Sequence, residues 1–295
     1  MRLDGERESE NVEDRRGESV GGGGFGLGGG RIGLGTIALA LVAWYFGIDP
    51  SFLFDQSGSA PSVSHSPGNA PGNAPAKAPP HDDRQARFVS MILADTEDTW
   101  TEIFRGGGRA YRVPKLVLFK GAMRSACGLG EAAMGPFYCP GDQKVYIDLS
   151  FYDELQRRFH APGEFAQAYV IAHEVGHHVQ NLLGITGKVA AAQQRADRAA
   201  ANRLSVRVEL QADCYAGVWG NHADKARHIL ENGDIDKALA AASAIGDDRL
   251  QKQARGTVSP ESFTHGSSQQ RVRWFRRGIE SGNLKQCDTF SSRDL

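Results

Sequence analysis

The chain has 295 residues and a formal net charge of −1, with 34 Lys and Arg against 35 Asp and Glu. That balance lacks the basic footprint of a nucleic-acid-binding protein, so no nucleic acid is expected as a partner. The length is enough for one ordinary domain with flanking segments, and the uneven spread of its 36 glycines shows where those flanks lie.

Residues 1–20 are charge-rich and poor in apolar side chains, which predicts disorder. Residues 21–30 are almost all glycine and lack the Gly-Lys-Ser/Thr ending of a phosphate loop, so they read as flexible. Together, residues 1–31 are expected to form a disordered cytoplasmic tail. An uncharged apolar run then covers residues 32–48, at the short end of what spans a bilayer. Trp44 and Tyr45 suit its far interface. Arg15, Arg16 and Arg31 precede it, and the next basic residue is Lys77, so the positive-inside rule puts the N-terminus in the cytoplasm and the body outside. Residues 32–54 are therefore expected to be a single transmembrane helix, uncleaved, that anchors the chain in the cell membrane. Residues 55–83 are rich in Pro, Gly, Ser and Ala, with Pro-Gly-Asn-Ala repeated at 67–70 and 71–74, and read as a tether.

Residues 84–295 hold the domain. Phe88, Ile92, Trp100, Ile103 and Phe104 suggest an opening amphipathic helix, and residues 115–119 and 144–149 read as strands. His173-Glu174-Val175-Gly176-His177 follows, inside a helical pattern over 165–184 that Gly184 would cap. Two imidazoles four residues apart share one helix face, so both can bind one tetrahedral zinc ion. Glu174 stands beside the first of them and can take a proton from a zinc-bound water. His178 points to another face and reads as a core or surface histidine.

A second helical pattern covers 205–219, with Glu209 and Asp213 one turn apart. Glu209 is the candidate third ligand, and Asp213 would accept the remaining ring N–H of a zinc-bound histidine. A solvated acidic face is the alternative. Asp234 is expected to cap a further helix, and Asp247-Asp248 reads as a helix-end feature. The four cysteines, Cys127, Cys139, Cys214 and Cys287, with the exported topology, predict two disulfides, Cys127 with Cys139 and Cys214 with Cys287. One zinc per chain is the expected cofactor.

Residues 135–140, 145–151, 173–180 and 263–271 together closely resemble the bacterial family called putative neutral zinc metallopeptidases, over roughly residues 88–290. The Glu209-x-x-x-Asp213 element looks like the gluzincin pattern. The resemblance implies an α+β, mostly helical, zincin-like domain with a small sheet, in which residues 145–149 form the cleft-edge strand. It also places His265 and Arg271 near the active site. There His265 would donate to the oxyanion; the alternative is a structural His-Gly turn with Arg271 ion-paired to Asp213 or a helix end. The function expected is zinc-dependent hydrolysis of a peptide or protein outside the cytoplasm. A tethered zinc-holding scaffold with little turnover and a cell-wall amidase are the other readings, and the presence of Glu174 favours an enzyme.

Overall fold

The computed structural model describes residues 1–18, 77–80, 82–131, 135–159, 161 and 163–295. The expected anchor, the glycine segment and nearly all of the tether lie outside the described residues. Among those described, no helix is long and apolar enough to cross a membrane.

The Leu-Val-Leu-Phe run of β2 (Lys115–Phe119) is buried on both faces, so it needs partners on both sides. It pairs in parallel with β1 (Val12–Asp14) and with β6 (Lys144–Asp148). The short β5 (Phe137–Cys139) runs antiparallel to β6, giving the order β1-β2-β6-β5. A separate hairpin joins β3 (Ala122–Ser125) and β4 (Gly128–Glu131). The strand at residues 145–149, expected at the cleft edge, is therefore an interior one. Val145 and Ile147 are fully buried, as a central strand requires, and the partly exposed β5 takes the edge.

The helices are α1 (Arg84–Gly106), α2 (Ser150–Arg157), α3 (Glu164–Leu182), α4 (Ile185–Gln193), α5 (Arg198–Arg227), α6 (Asp234–Ala244), α7 (Asp247–Arg255) and α8 (Ser268–Ser281). Asp83 caps α1 by accepting the Ala86 N–H, and Phe88, Ile92 and Trp100 turn its apolar stripe into the core. The central helix α5 packs on α3 and most closely on α8. A Cβ on Gly278 would sit 2.0 Å from the Cys214 carbonyl oxygen, and one on Gly217 would sit 2.2 Å from that of Phe275. The two backbones touch there, which only glycine permits. Asp234 lies one residue inside α6, whose cap is Gly233; its carboxylate accepts the Glu231 N–H instead.

The N-terminal residues differ most from expectation. Residues 1–20 and 76–295 make one compact unit, so a disordered tail is the wrong description of residues 1–18. Their charges are complementary to those of the body. Arg7 pairs with Glu97 at 2.9 Å and Asp98 at 2.7 Å, Ser9 and Asn11 donate to Glu97, and the buried Glu13 meets Lys115 and Lys144. Val12 adds an apolar contact, and the β1 ladder satisfies the backbone. The Asp14 N–H donates to the Lys77 carbonyl at 2.8 Å, a single antiparallel bridge beside the β1 ladder.

Candidate metal centre

Two helices build the site. On α3, burial is nearly continuous from Phe165 to Val179, and the helix ends at Leu183 with Gly184 left-handed at φ 75°. Gly176 lets α5 approach: a Cβ there would lie 3.1 Å from the Ala212 carbonyl oxygen. This contact sets the His173 and His177 side chains opposite Glu209. Candidate ligand atoms of the three lie within 4.8 Å of one another. His173 Nε2 is 3.2 Å from Glu209 Oε2, His177 Nε2 is 3.5 Å from Glu209 Oε1, and the two rings are nearly perpendicular. Two imidazoles and one carboxylate facing a cleft are a donor set that fits a zinc ion with one position left for water.

The far side of each imidazole is also held. His173 Nδ1 lies 2.9 Å from Asp213 Oδ1. The buried Asp213 also accepts from Tyr169 Oη at 2.5 Å and from Arg271 Nε and Nη2 at 2.8 Å each. Arg271 is thus an ion-pair partner of Asp213, one of the two roles open to it from the sequence. His177 Nδ1 lies 2.9 Å from Gln180 Oε1. With both Nδ1 atoms facing acceptors, both Nε2 atoms are free to carry lone pairs toward Glu209 and a metal.

The electrostatics match. Burial raises the Asp213 pKa, but the charges of Arg271 and His173 outweigh it and hold the carboxyl at about 2. Burial likewise opposes ionisation of Glu209, yet the facing histidines keep it well below the usual carboxylate range. Burial lowers the His177 pKa, and the Glu209 carboxylate more than offsets that, bringing it to about 9. Such a site stabilises positive charge, and a divalent cation would take the place of the protons. Glu174 is buried beside the cleft, and burial is the main cause of its raised pKa, with the two histidines pulling the other way. An acceptor with a raised pKa is suited to hold a proton near neutral pH.

A cleft of about 590 Å³ opens over these residues, lined also by Phe137 and Tyr138 of β5 and by His265. The sheet edge therefore borders the cleft, where an extended peptide can add as a further strand. His265 is about half exposed. Its loop is clamped by Asp247, whose Oδ2 accepts the N–H groups of Thr264, His265 and Gly266 at 2.7, 2.6 and 3.0 Å, and whose Oδ1 lies 3.2 Å from His265 Nδ1. Asp247 does sit at a helix start, but reading it only as a helix-end feature misses this clamp. His178 faces away, between the Tyr138 hydroxyl and the Arg112 carbonyl. Gln180 and Tyr169 were also missed. The available signal was their place on the helix that carries both histidines: Gln180 stands three residues after His177, and Tyr169 four before His173.

The disulfides pair Cys127 with Cys139 and Cys214 with Cys287. The first ties the hairpin's turn to the end of β5, and the second joins the residue after Asp213 to the C-terminal segment.

Comparison with known proteins agrees with this geometry. Residues 1–290 match the family described as "Putative neutral zinc metallopeptidase". The chain is similar to "Uncharacterized protein YpfJ" of Escherichia coli (strain K12), at 54% identity over 98% of this chain and 99% of that one. It is also similar to "Uncharacterized protein Rv2575" of Mycobacterium tuberculosis (strain ATCC 25618 / H37Rv), at 44% identity over 71% of this chain and 73% of that one. No solved structure matches. With the site's donors and the family match in agreement, the chain belongs to the putative neutral zinc metallopeptidases.

Proposed function

We propose that the chain is a peptidase that hydrolyses peptide bonds of an exported or extracellular protein, using one zinc ion held by His173, His177 and Glu209. The observation that carries this reading is the meeting of the three donors within 4.8 Å, with Glu174 next in the chain to the first of them. A zinc ion there would polarise the scissile carbonyl and acidify a water molecule. The protein's own residues do the rest. β5 aligns the substrate backbone as an added strand. Glu174 accepts the proton of the attacking water and passes it to the leaving amine. His265, steered by Asp247, donates a hydrogen bond to the oxyanion. Asp213 and Gln180 keep the two imidazoles in the tautomer that leaves Nε2 unprotonated. Two disulfides support an oxidising compartment for the domain. Attachment to a membrane through residues 32–54 is part of the proposal and rests on the sequence pattern alone.

The test pairs metal analysis with kinetics on a peptide library. Glu174→Gln is expected to keep stoichiometric zinc and lose about 10²–10⁴-fold in turnover. His265→Ala is expected to keep zinc and to lower kcat by about 10²–10³ while moving KM less. Undiminished hydrolysis by Glu174→Gln would reject the mechanism, and zinc loss in His265→Ala would make that residue structural. A zinc-holding scaffold predicts no cleavage by the wild type itself.

A further inference from the structure

A chain of buried amides leads from the second histidine to the C-terminal segment. Gln180 Oε1 faces His177 Nδ1, and Gln180 Nε2 donates to the Val208 carbonyl at 2.7 Å and to Gln211 Oε1 at 3.1 Å. Gln211 Nε2 then donates to the Cys287 carbonyl at 3.0 Å. Gln180 is 0% exposed and Gln211 4%, so neither can exchange these partners for water.

The direction of this chain is forced. A backbone carbonyl only accepts, so Cys287 requires the nitrogen of Gln211, which turns Gln211 Oε1 toward Gln180. That oxygen and the Val208 carbonyl both require the nitrogen of Gln180, which turns Gln180 Oε1 toward His177. His177 Nδ1 must then carry the proton, leaving Nε2 free on the metal side. The segment that supplies the Cys287 carbonyl is itself held on α5. The disulfide binds it to Cys214, and Thr289 Oγ1 donates to the Arg207 carbonyl at 2.7 Å. Cys214 adjoins Asp213, which holds the other histidine, so one covalent bond stands behind both imidazoles.

We propose that Gln180 is the positioning residue for His177, and that the disulfide between Cys214 and Cys287, acting through Gln211, holds Gln180 in the orientation the metal needs. The inference rests on the metal reading of the site.

The full-length protein, solubilised and stripped of metal, is titrated with zinc against a chromogenic chelator, and its cobalt form is examined by visible spectroscopy. Loss of a partner behind a metal-bound histidine typically weakens affinity 10–100-fold, and Gln180→Ala is expected to fall in that range. Gln211→Ala and the double variant Cys214→Ala/Cys287→Ala are expected to weaken it less, in the same direction, with a changed cobalt spectrum. Adding Gln180→Ala to the cysteine variant should then cost less than it does in the wild type, because both act on one imidazole. Unchanged affinity in Gln180→Ala, or losses that simply multiply, would overturn the proposal. Should the cysteine variant fail to fold, the same comparison between Gln211→Ala and Gln180→Ala decides. A wild type that takes up no zinc would instead overturn the metal reading on which all of this depends.

Discussion

His178 follows His177 directly, yet its environment is the opposite. It is fully buried, and its hydrogen-bond partners are a hydroxyl and a backbone carbonyl rather than carboxylates. Its Nε2 must donate to the Arg112 carbonyl at 2.6 Å, so its Nδ1 accepts the Tyr138 hydroxyl at 3.0 Å, and the ring is neutral. Burial is the main cause that brings its pKa down to about 4. In the unfolded chain the value is about 6.5. Between these values the unfolded state binds a proton that the native state refuses, so stability falls as pH drops through that window. The full effect is on the order of 3 kcal/mol. Urea unfolding with chelator present, at pH 7 and pH 4.5, should show the wild type losing about 2 kcal/mol more than His178→Gln. Equal losses would show that His178 is protonated in the native state. At this scale the sequence distinguished residue types well: His173, Glu174, His177, Glu209 and Asp213 are all brought together. It did not distinguish partners. Gln180, Tyr169 and Asp247 are ordinary polar residues in the sequence, and their roles exist only where another segment supplies a donor or acceptor.

The elements were legible to the degree that a local period dictates them. β2 matches its expected span, β6 ends one residue early, and α1, α3 and α5 follow their apolar spacing. Which strand lies at the edge was not legible, because β5 and β6 are both short, mixed runs and only pairing tells them apart. The crossing of α5 and α8 was equally hidden, since a glycine inside a helix reads first as a cost. Its effect can be measured. Gly278→Ala forces a methyl into the Cys214 carbonyl, and the helices must separate. The expected loss is at least about 2 kcal/mol, with weakened zinc retention, because Asp213 and Arg271 lie on the same two helices. Gly187→Ala is the control. It lies in α4 with nothing within 4 Å of the added Cβ, so it should stabilise by about 0.5–1 kcal/mol. Similar Tm values for the two variants would deny the close crossing.

For the whole molecule, the decisive feature is β1. A single crossing by residues 32–48 would put residues 1–18 and the body on opposite sides of the membrane, and β1 could not then pair with β2 in the same chain. The expectation is that both lie on one side. Short epitope tags inserted at the Gly5 turn and at the Gly121 turn, probed with antibody on intact and permeabilised spheroplasts, should become accessible together. Exposure of one tag with the other protected would support the N-in, C-out reading and require β1 to leave the sheet. The sequence by itself determined the helices of the site and the donor types, because spacing and side-chain chemistry are local properties of the chain. Only the tertiary structure decided that the first eighteen residues belong to the body, that β5 borders the cleft, and that Gln180 and Asp247 stand behind the histidines. Those outcomes depend on complementary charges, ladder partners and backbone carbonyls contributed from distant parts of the chain, and neither composition nor periodicity records them.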